Sequence, residues 1–351
     1  MDISKIKKIL IVRTDRIGDV VLSTPVITAT REAFPEAYIA VMVSPKTKEI
    51  VTGNPFLNGV IVYDKKFKHR GIFKAVAFSG WLRSKGFDLA LILHSTARVN
   101  LICFLARIPK RIGYARGKMD FLLTDKLEYT KRLGEKHESE YSLDILRSIG
   151  INVTPSPLVM PVKKSDEENM DNLLKECGLA KGERFIVLHP GASCVSKMWP
   201  QKNFAELGDI LIGRFGVKCV LISSPDQIEI GKKVRDLMKD KPLFLCGRTS
   251  LGELASLFKR ASLFISNDSG PVHIASAVGT PLISIFGRNE KGLSPTRWKA
   301  LGDKSVVLHK EVGCKECLAH NCKKGFLCLR SVTVEEVVEK AGELLNEKAG
   351  K

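Results

Sequence analysis

The chain has 351 residues, of which 44% are hydrophobic and only 7% aromatic, and 56 Lys and Arg against 38 Asp and Glu give a formal net charge of +18. This composition excludes collagenous, fibrous and disordered chains, and the length suffices for two domains. Because no window holds the roughly 20 consecutive apolar residues of a membrane span and the N-terminal sequence has no signal-peptide pattern, we expect a cytoplasmic protein.

Short apolar runs alternate with amphipathic stretches along the whole chain. The runs that predict strands are Lys8–Arg13, Tyr38–Val43, Val60–Tyr63, Asp88–His94, Arg184–Leu188, Cys219–Ser223, Leu243–Cys246, Leu263–Ser266 and Leu282–Phe286. Runs of Val, Ile and Leu without polar alternation are typical of parallel strands covered by helices on both faces. The sequence therefore predicts an α/β protein built from βα units.

The first strand leads into the polar segment Thr14–Asp19 and a predicted helix over Val20–Phe34. Gly18 would let the backbone turn tightly, and Asp19 would fall in the first helical turn at the carboxyl edge of the sheet. There the carboxylate either complements the helix dipole or points into a cleft as a proton acceptor.

Positive charge is concentrated in the first half of the chain. Residues 1–165 carry 28 Lys and Arg against 15 Asp and Glu, a net charge of +13, whereas residues 166–351 carry 28 against 23, a net charge of +5. The surplus suits an anionic partner, which could be nucleic acid, a membrane surface or an acidic substrate, and a merely solvated surface is the alternative. Little aromatic interleaving in the basic segments argues against nucleic acid.

Three prolines within Asn152–Val162 interrupt the alternation and predict an extended hinge, because proline cannot occupy a helix interior. We therefore expect an N-terminal domain over residues 1–165 and a C-terminal domain over residues 166–332. Both would be doubly wound, with the carboxyl ends of their strands facing a central cleft. Residues 333–351 are predicted to form a capped amphipathic helix that packs back on the N-terminal domain.

Two polar turns follow predicted strands of the second domain. In His189–Pro200, Ser193 suits an anion-binding turn and Lys197 could offset the charge of a diphosphate, although Lys197 alone resembles any surface lysine. In Asn267–His273, Ser269 and Gly270 would lie at a helix N-terminus, where backbone N–H groups bind phosphate. Asp268 is either a helix cap or a ligand contact, and His273 either reaches the same anion or packs on the helix.

Four of the nine cysteines, Cys314, Cys317, Cys322 and Cys328, lie within fifteen residues. Clustered thiols in a cytosolic chain suggest a structural metal site, with Zn preferred over an iron–sulfur cluster. The spacing matches no standard zinc ribbon or ferredoxin. Two local disulfides and four free thiols remain open as alternatives.

Taken in order, these motifs resemble a known family over nearly the whole chain. They are R-T-D-R-I-G-D followed by L-S-T-P, then H-P-G-A-S with K-M-W-P, then N-D-S-G-P-V-H-I-A-S-A-V-G-T-P-L-I-S-I-F-G, and the late cysteine cluster. The resemblance is to the ADP-heptose:lipopolysaccharide heptosyltransferases, which are inverting glycosyltransferases of family 9. It implies the GT-B fold of two Rossmann-like domains.

The resemblance also implies roles for individual residues. Asp19 matches the general base, Lys197 the lysine that contacts the donor diphosphate or sugar, and Asp268 the acidic residue that binds the donor heptose. The remaining residues expected to bind the donor are Ser193, Ser269, Gly270 and His273. We assign four residues to the acceptor side, namely Arg16, Gly18, Lys65 and Arg70.

The family implies transfer of heptose from ADP-heptose to the lipopolysaccharide inner core, either Kdo-lipid A or a heptosyl acceptor. No catalytic metal or cofactor is expected, with a structural Zn at the cysteines as the one candidate. We expect a monomer, bound peripherally to the cytoplasmic face of the inner membrane, with an anionic lipid-linked acceptor and no nucleic acid. The alternatives are an enzyme of the same fold that uses another sugar or glycan and, more remotely, a non-catalytic protein that binds anions or nucleic acid.

Overall fold

The computed structural model describes residues 5–117 and 119–346, and the chain divides into two compact units, Met1–Pro161 and Val162–Lys351. The division falls four residues before the predicted boundary. It does so because the first helix of the second unit begins at Lys164 and packs against the helix Leu251–Arg260 of the same unit.

The first unit is a parallel sheet covered by helices. Its strands in the described residues are β1 (Lys8–Val12), β2 (Tyr38–Val43), β3 (Gly59–Val62), β4 (Leu89–Ile92), β5 (Lys110–Tyr114) and β6 (Asp125–Leu127). Its helices are α1 (Ile17–Val21), α2 (Thr24–Ala33), α3 (Lys48–Val51), α4 (Ile72–Arg83), α5 (Ala97–Leu105) and α6 (Glu138–Arg147). The strand order is β3-β2-β1-β4-β5-β6, so the chain reverses its direction across the sheet between β1 and β4.

The second unit repeats this arrangement. Its strands in the described residues are β7 (Phe185–His189), β8 (Lys218–Leu221), β9 (Leu243–Phe244), β10 (Leu263–Asn267), β11 (Leu282–Phe286) and β12 (Ser305–His309). Its helices are α7 (Lys164–Glu176), α8 (Gln201–Phe215), α9 (Ile228–Leu237), α10 (Leu251–Arg260), α11 (Gly270–Ala277), α12 (Pro295–Trp298), α13 (Leu327–Arg330) and α14 (Val334–Asn346). The parallel order β12-β11-β10-β7-β8-β9 places the reversal between β7 and β10. The prediction of an α/β protein with two doubly wound sheets is confirmed, and ligands of such sheets bind at the carboxyl edge beside each reversal.

Three strands lie outside the predicted set, namely β5, β6 and β12. β5 begins with two basic residues, and β6 is a short edge strand whose first two residues are exposed. β12 is the opposite edge strand of its own sheet and is only half-buried. Edge strands need no continuous apolar run, because only part of their surface is covered.

The helix predicted over Val20–Phe34 is two helices. α1 ends at Val21, and α2 starts at Thr24 with Pro25 in its first turn. A continuous helix would direct the Pro25 ring into the carbonyl of Val21, four residues earlier. The expected turn at Gly18 is also wrong, because Gly18 is buried inside α1 and the chain turns before it.

The C-terminal helix α14 belongs to the second unit, which corrects the expectation that it packs on the N-terminal domain. Its buried residues, including Val337, Ala341 and Leu345, join the core of that unit, and the helix packs against α8, β10 and β11. The Thr333 hydroxyl caps the helix by accepting the backbone N–H of Glu336 at 3.2 Å. In the described part of the chain, no helix has the length and apolarity to cross a bilayer.

Candidate active site

A cluster of buried charges surrounds Asp19 at the carboxyl edge of the first sheet, beside the reversal between β1 and β4. Arg13, the residue after β1, is 2% exposed. Its Nη2 contacts Asp19 Oδ1 at 2.5 Å and Glu138 Oε1 at 3.0 Å, and its Nε lies 2.9 Å from Asp15 Oδ1. Glu138, at the start of α6, also accepts from Lys131 Nζ at 2.8 Å. Each buried charge in this cluster thus has an opposite charge beside it.

The balance of these charges sets the proton affinity of Asp19. Burial raises the pKa of Asp19, the Arg13 guanidinium lowers it, and the neighbouring carboxylates of Asp15 and Glu138 raise it again, giving a pKa of about 6. For Arg13, burial opposes the charge, but the three carboxylates outweigh it and hold the pKa above its ordinary value. Asp19 is therefore ionised at neutral pH and binds a proton more readily than a solvated aspartate does.

His94 lies beside this cluster just after β4. Burial, followed by the positive charges of Arg13 and Arg116, lowers the pKa of His94 to about 4, so the imidazole is neutral at pH 7. Its Nδ1 lies 3.8 Å from Asp15 Oδ2. Lys65 also lowers the His94 pKa, which places that lysine within electrostatic range of the cluster.

The four residues assigned to the acceptor side differ in their exposure and in their position relative to the Asp19 cluster. Lys65 is exposed near His94, and Arg16 is exposed at the N-cap of α1 beside Asp19. Arg70 is exposed at the far end of the loop that follows β3. Gly18 is buried in α1, which leaves it no exposed surface for the role we expected.

The second sheet carries an ion pair at the equivalent edge, beside the reversal between β7 and β10. Lys197, on a 3₁₀ turn after β7, contacts Asp268, which follows β10, with Nζ 2.5 Å from Oδ2. Both side chains are only slightly exposed, at 14% and 10%. Asp268 does not cap α11, because the N-cap is Ser269. The sequence analysis named Lys197 and Asp268 as separate candidates for donor binding, and in the structure they form one ion pair.

Of the other four residues expected to bind the donor, two lie at the start of a helix, one is buried and one is exposed on a loop. Ser269 and Gly270 start α11, where extended backbone at Ser269 turns into the helix and no side chain caps the first amides. His273 is buried within α11, and Ser193 is exposed on the loop after β7. Ser269 and Gly270 thus lie where an anion could accept from the helix, one turn away from His273.

Two buried side chains that the sequence did not single out support the loop after β7. The Asn267 amide donates to the carbonyls of Pro190 and Gly191 at 2.8 and 3.3 Å, and its oxygen accepts the Trp199 N–H at 2.9 Å. His189 Nδ1 lies 3.1 Å from Ser266 Oγ, and burial lowers the pKa of His189 to about 4. These contacts hold the loop in position and provide hydrogen-bond partners for its buried polar groups.

The four clustered cysteines are free thiols in the structure, which is one of the alternatives that the sequence left open, and the two local disulfides are not formed. They line a cavity of about 340 Å³ together with Ser196 and Arg288. Among the residues described, no three His, Cys, Asp or Glu side chains converge as metal ligands, so the expected metal site does not fit either. Cys314 is exposed on a loop, whereas Cys322 is partly buried and its Sγ accepts the Phe326 N–H at 3.3 Å.

The missed members of the first cluster are Arg13, Asp15, His94, Lys131 and Glu138. Arg13 and Asp15 stand in the quoted R-T-D-R segment, so the signal for them was present. Glu138 and Lys131 lie more than a hundred residues later in the chain, and nothing in their local sequence separates them from surface residues.

Comparisons with known proteins agree with this architecture. The family model for glycosyltransferase family 9 (heptosyltransferase) matches residues 76–327. The lipopolysaccharide heptosyltransferase 2 of Salmonella typhimurium is 25% identical, over 97% of this chain and 99% of that protein. A family 9 glycosyltransferase from Veillonella parvula superposes with a TM-score of 0.88 at 25% identity, covering 97% and 98% of the two chains.

The structure of E. coli ADP-heptose lps heptosyltransferase II shares the fold, with a TM-score of 0.81 at 24% identity over 97% of this chain and 99% of that one. The matched range of the family model contains Lys197 and Asp268, whereas Asp19 precedes it. Because the family model covers most of the sequence and the fold agrees, the chain belongs to glycosyltransferase family 9, the heptosyltransferases, and is a glycosyltransferase with the GT-B fold.

Proposed function

We propose that this enzyme transfers heptose with inversion from ADP-heptose to the lipopolysaccharide inner core, with Kdo-lipid A or a heptosyl group as acceptor. One observation carries the proposal. Each sheet bears, at its own ligand-binding edge, the group that one side of this reaction requires. These are the carboxylate of Asp19 on the first unit and the ammonium of Lys197 on the second.

The first unit is proposed to act on the acceptor. The acceptor hydroxyl oxygen attacks the anomeric carbon, the bond from that carbon to the diphosphate oxygen breaks, and the hydroxyl proton passes to Asp19. A base with a pKa of about 6 is ionised at neutral pH and still binds the proton well enough to assist the attack. Arg13 holds the carboxylate in place, and Glu138 in turn holds the buried Arg13 guanidinium.

The second unit is proposed to hold the donor. ADP leaves with additional negative charge on its diphosphate, and Lys197 together with the first amides of α11 would stabilise that charge. Asp268 fixes the ammonium of Lys197 before the donor arrives, and we assign its carboxylate to a sugar hydroxyl of the donor. In this proposal the reaction needs no metal ion.

The acceptor proposed here is anionic, which fits the basic excess of the first unit. The candidates for binding its acidic groups are Arg16, exposed at the N-cap of α1, and Lys65, exposed within electrostatic range of His94. A lipid-linked acceptor would place the enzyme at the cytoplasmic face of the inner membrane as a peripherally bound monomer.

The test is turnover with a panel of nucleotide sugars, with and without an acidic inner-core acceptor and with excess EDTA. We expect acceptor-dependent ADP release from ADP-heptose that EDTA does not affect. Lys197→Met should lower the turnover by about 10²–10³-fold, as loss of one group that stabilises a leaving charge typically does. Preference for another nucleotide sugar would contradict the assignment of ADP-heptose as the donor. Loss of activity in EDTA would contradict the proposal that no metal ion is needed.

A further inference from the structure

Helix α4 in the first unit carries large apolar residues on both its faces. Ala75, Phe78 and Leu82 are buried against the unit, as expected for a helix that covers a sheet. The opposite side carries Phe73, which is 87% exposed, and Trp81, which is 45% exposed. The charged residues of α4, Lys74 and Arg83, are also exposed, so this side of the helix mixes large apolar side chains with basic ones, whereas the solvent side of a helix is normally polar.

The exposed apolar surface extends beyond α4. Eight of the fourteen large apolar side chains exposed in the described residues belong to α4, α5 and the loops beside them, namely Phe67, Ile72, Phe73, Val76, Trp81, Phe104, Met119 and Phe121. α4 packs on α5, and between them runs a groove of about 340 Å³ lined by Ile72, Val76, Leu101, Leu105 and Met119 among others. Apolar surface of this extent is typical of an interaction site.

Basic residues outnumber acidic ones around this surface, whose two acidic residues, Asp64 and Asp120, are only half-exposed. The segment 65–87 contains seven Lys and Arg and no Asp or Glu, and all seven are exposed, namely Lys65, Lys66, Lys68, Arg70, Lys74, Arg83 and Lys85. Exposed aromatic side chains set among Lys and Arg are typical of segments that lie in the interface of an anionic bilayer.

The loop that carries Phe67 is held in position rather than collapsed onto the surface. The Asp64 carboxylate accepts the N–H groups of Lys66, Phe67 and Lys68 at 3.0, 3.1 and 3.3 Å. Arg98 bonds the His69 and Gly71 carbonyls at the end of the loop. This arrangement presents Phe67, 78% exposed, to the outside before any partner binds.

We propose that the α4–α5 face, defined as α4, α5, the loop 64–71 and residues 119–121, is a docking surface for an anionic lipid bilayer. Its aromatic side chains enter the acyl boundary, lipid chains fill the groove, and the lysines contact the headgroups. The proposed function, with its lipid-linked acceptor, supplies the reason for this enzyme to bind a bilayer. The binding itself can be measured without catalysis.

The experiment is co-sedimentation of the full chain with phosphatidylglycerol vesicles and with phosphatidylcholine vesicles. We expect binding to the anionic vesicles and much weaker binding to the neutral ones. Phe73→Ser should weaken partitioning by about 10- to 100-fold, from the free energy of burying one Phe side chain. Lys66→Gln, Lys68→Gln and Lys74→Gln together should weaken it by about 100-fold.

Matched controls lie on the second unit. Leu237→Ser removes an apolar side chain that is 57% exposed on α9, and Lys232→Gln, Lys233→Gln and Lys239→Gln together remove three exposed charges. Neither control should alter vesicle binding. Equal losses in the controls would overturn the proposal, and so would a dimer in gel filtration that Phe73→Ser dissolves.

Trp81 gives a direct readout on the proposed face. Its emission, taken as the difference between the wild type and Trp81→Phe, should shift to shorter wavelength on anionic vesicles, and an unshifted difference spectrum would contradict insertion. Turnover with a deacylated, soluble acceptor separates the two proposals, because Phe73→Ser should leave it unchanged. Vesicle binding without turnover in the wild type would refute the proposed function alone, and turnover without vesicle binding would refute this inference alone.

Discussion

Asp19 shows how single residues set the chemistry of this site. Its carboxylate is half of an ion pair with Arg13, yet burial and two further carboxylates keep its pKa raised to about 6. If Arg13 balanced the negative charge of Asp19 fully, the carboxylate would bind a proton too weakly to act as a base. Without Arg13, the buried carboxylate would be protonated at neutral pH. The neighbours of Asp19 therefore tune it between these limits.

Asp19→Asn tests the role of this carboxylate. The amide keeps the shape and an oxygen for Arg13, but it cannot accept the acceptor proton, so we expect turnover to fall by about 10²–10⁴-fold. The melting temperature should not fall, because the variant removes a buried negative charge whose ionised form the fold disfavours. Near-normal ADP release with an intact fold would show that Asp19 is not the base.

The pH profile offers an independent test. Protonation of Asp19 removes the base, so kcat/KM should decline as the pH falls through about 6. Asp15→Asn removes a neighbouring negative charge that raises the pKa of Asp19, so the acidic limb should move to lower pH. An acidic limb that stays in place or moves to higher pH in this variant would contradict the electrostatic assignment.

At the scale of elements, buried side chains connect the ends of neighbouring strands. Asn267 ends β10, yet the three hydrogen bonds of its side chain all reach the loop that follows β7. Lys197 lies on that loop and Asp268 follows Asn267, so the same contacts set the distance between the two ends of the ion pair. The position of Lys197 is thus a property of two strands together.

Asn267→Ala should therefore destabilise the protein and weaken donor binding. The change leaves two carbonyls and one N–H without their partner, at about 1–3 kcal/mol for each group that stays buried. We expect a loss of at least about 2 kcal/mol in the free energy of unfolding and a higher KM for the donor, measured by denaturant unfolding and steady-state kinetics.

Asn169→Ala is the matched control, because its amide makes one exposed hydrogen bond with Glu253. That variant should change stability by less than about 0.5 kcal/mol. If Asn267→Ala behaved like this control, the loop after β7 would not depend on Asn267.

At the scale of the whole molecule, charge is divided unequally between the two units. With the boundary at Pro161, the first unit carries 26 Lys and Arg against 15 Asp and Glu, a net charge of +11, and the second carries 30 against 23, a net charge of +7. The division found in the structure makes the asymmetry smaller than the +13 and +5 of the predicted boundary, because Lys163 and Lys164 move to the second unit. The first unit remains the more basic one.

The positive charge of the first unit predicts that salt affects the binding of the acceptor more than the binding of the donor. An anionic acceptor drawn to the first unit by many dispersed charges should lose that attraction as salt shortens the screening length. A donor bound by a buried pair and backbone amides should lose less. We expect the acceptor KM to rise severalfold more than the donor KM when sodium chloride is raised from about 50 to about 500 mM, and parallel rises would contradict this use of the charge.

The sequence by itself determined the α/β class, the two sheets and the place of Asp19, Lys197 and Asp268 after strands. It could do so because buried parallel strands need continuous apolar runs and a helix start needs a local pattern of polar residues and glycine. The two compact units divide at Pro161, four residues before the boundary expected from the prolines.

Only the tertiary structure decided which distant residues meet. Glu138 and Lys131 look like surface residues in the sequence, and they become part of the Asp19 cluster because α6 packs beside β4. The burial of α14 in the second unit and the free state of the four cysteines were decided in the same way. Ion pairing, burial and thiol geometry depend on distances across the fold, and a chain pattern that repeats every few residues does not encode those distances.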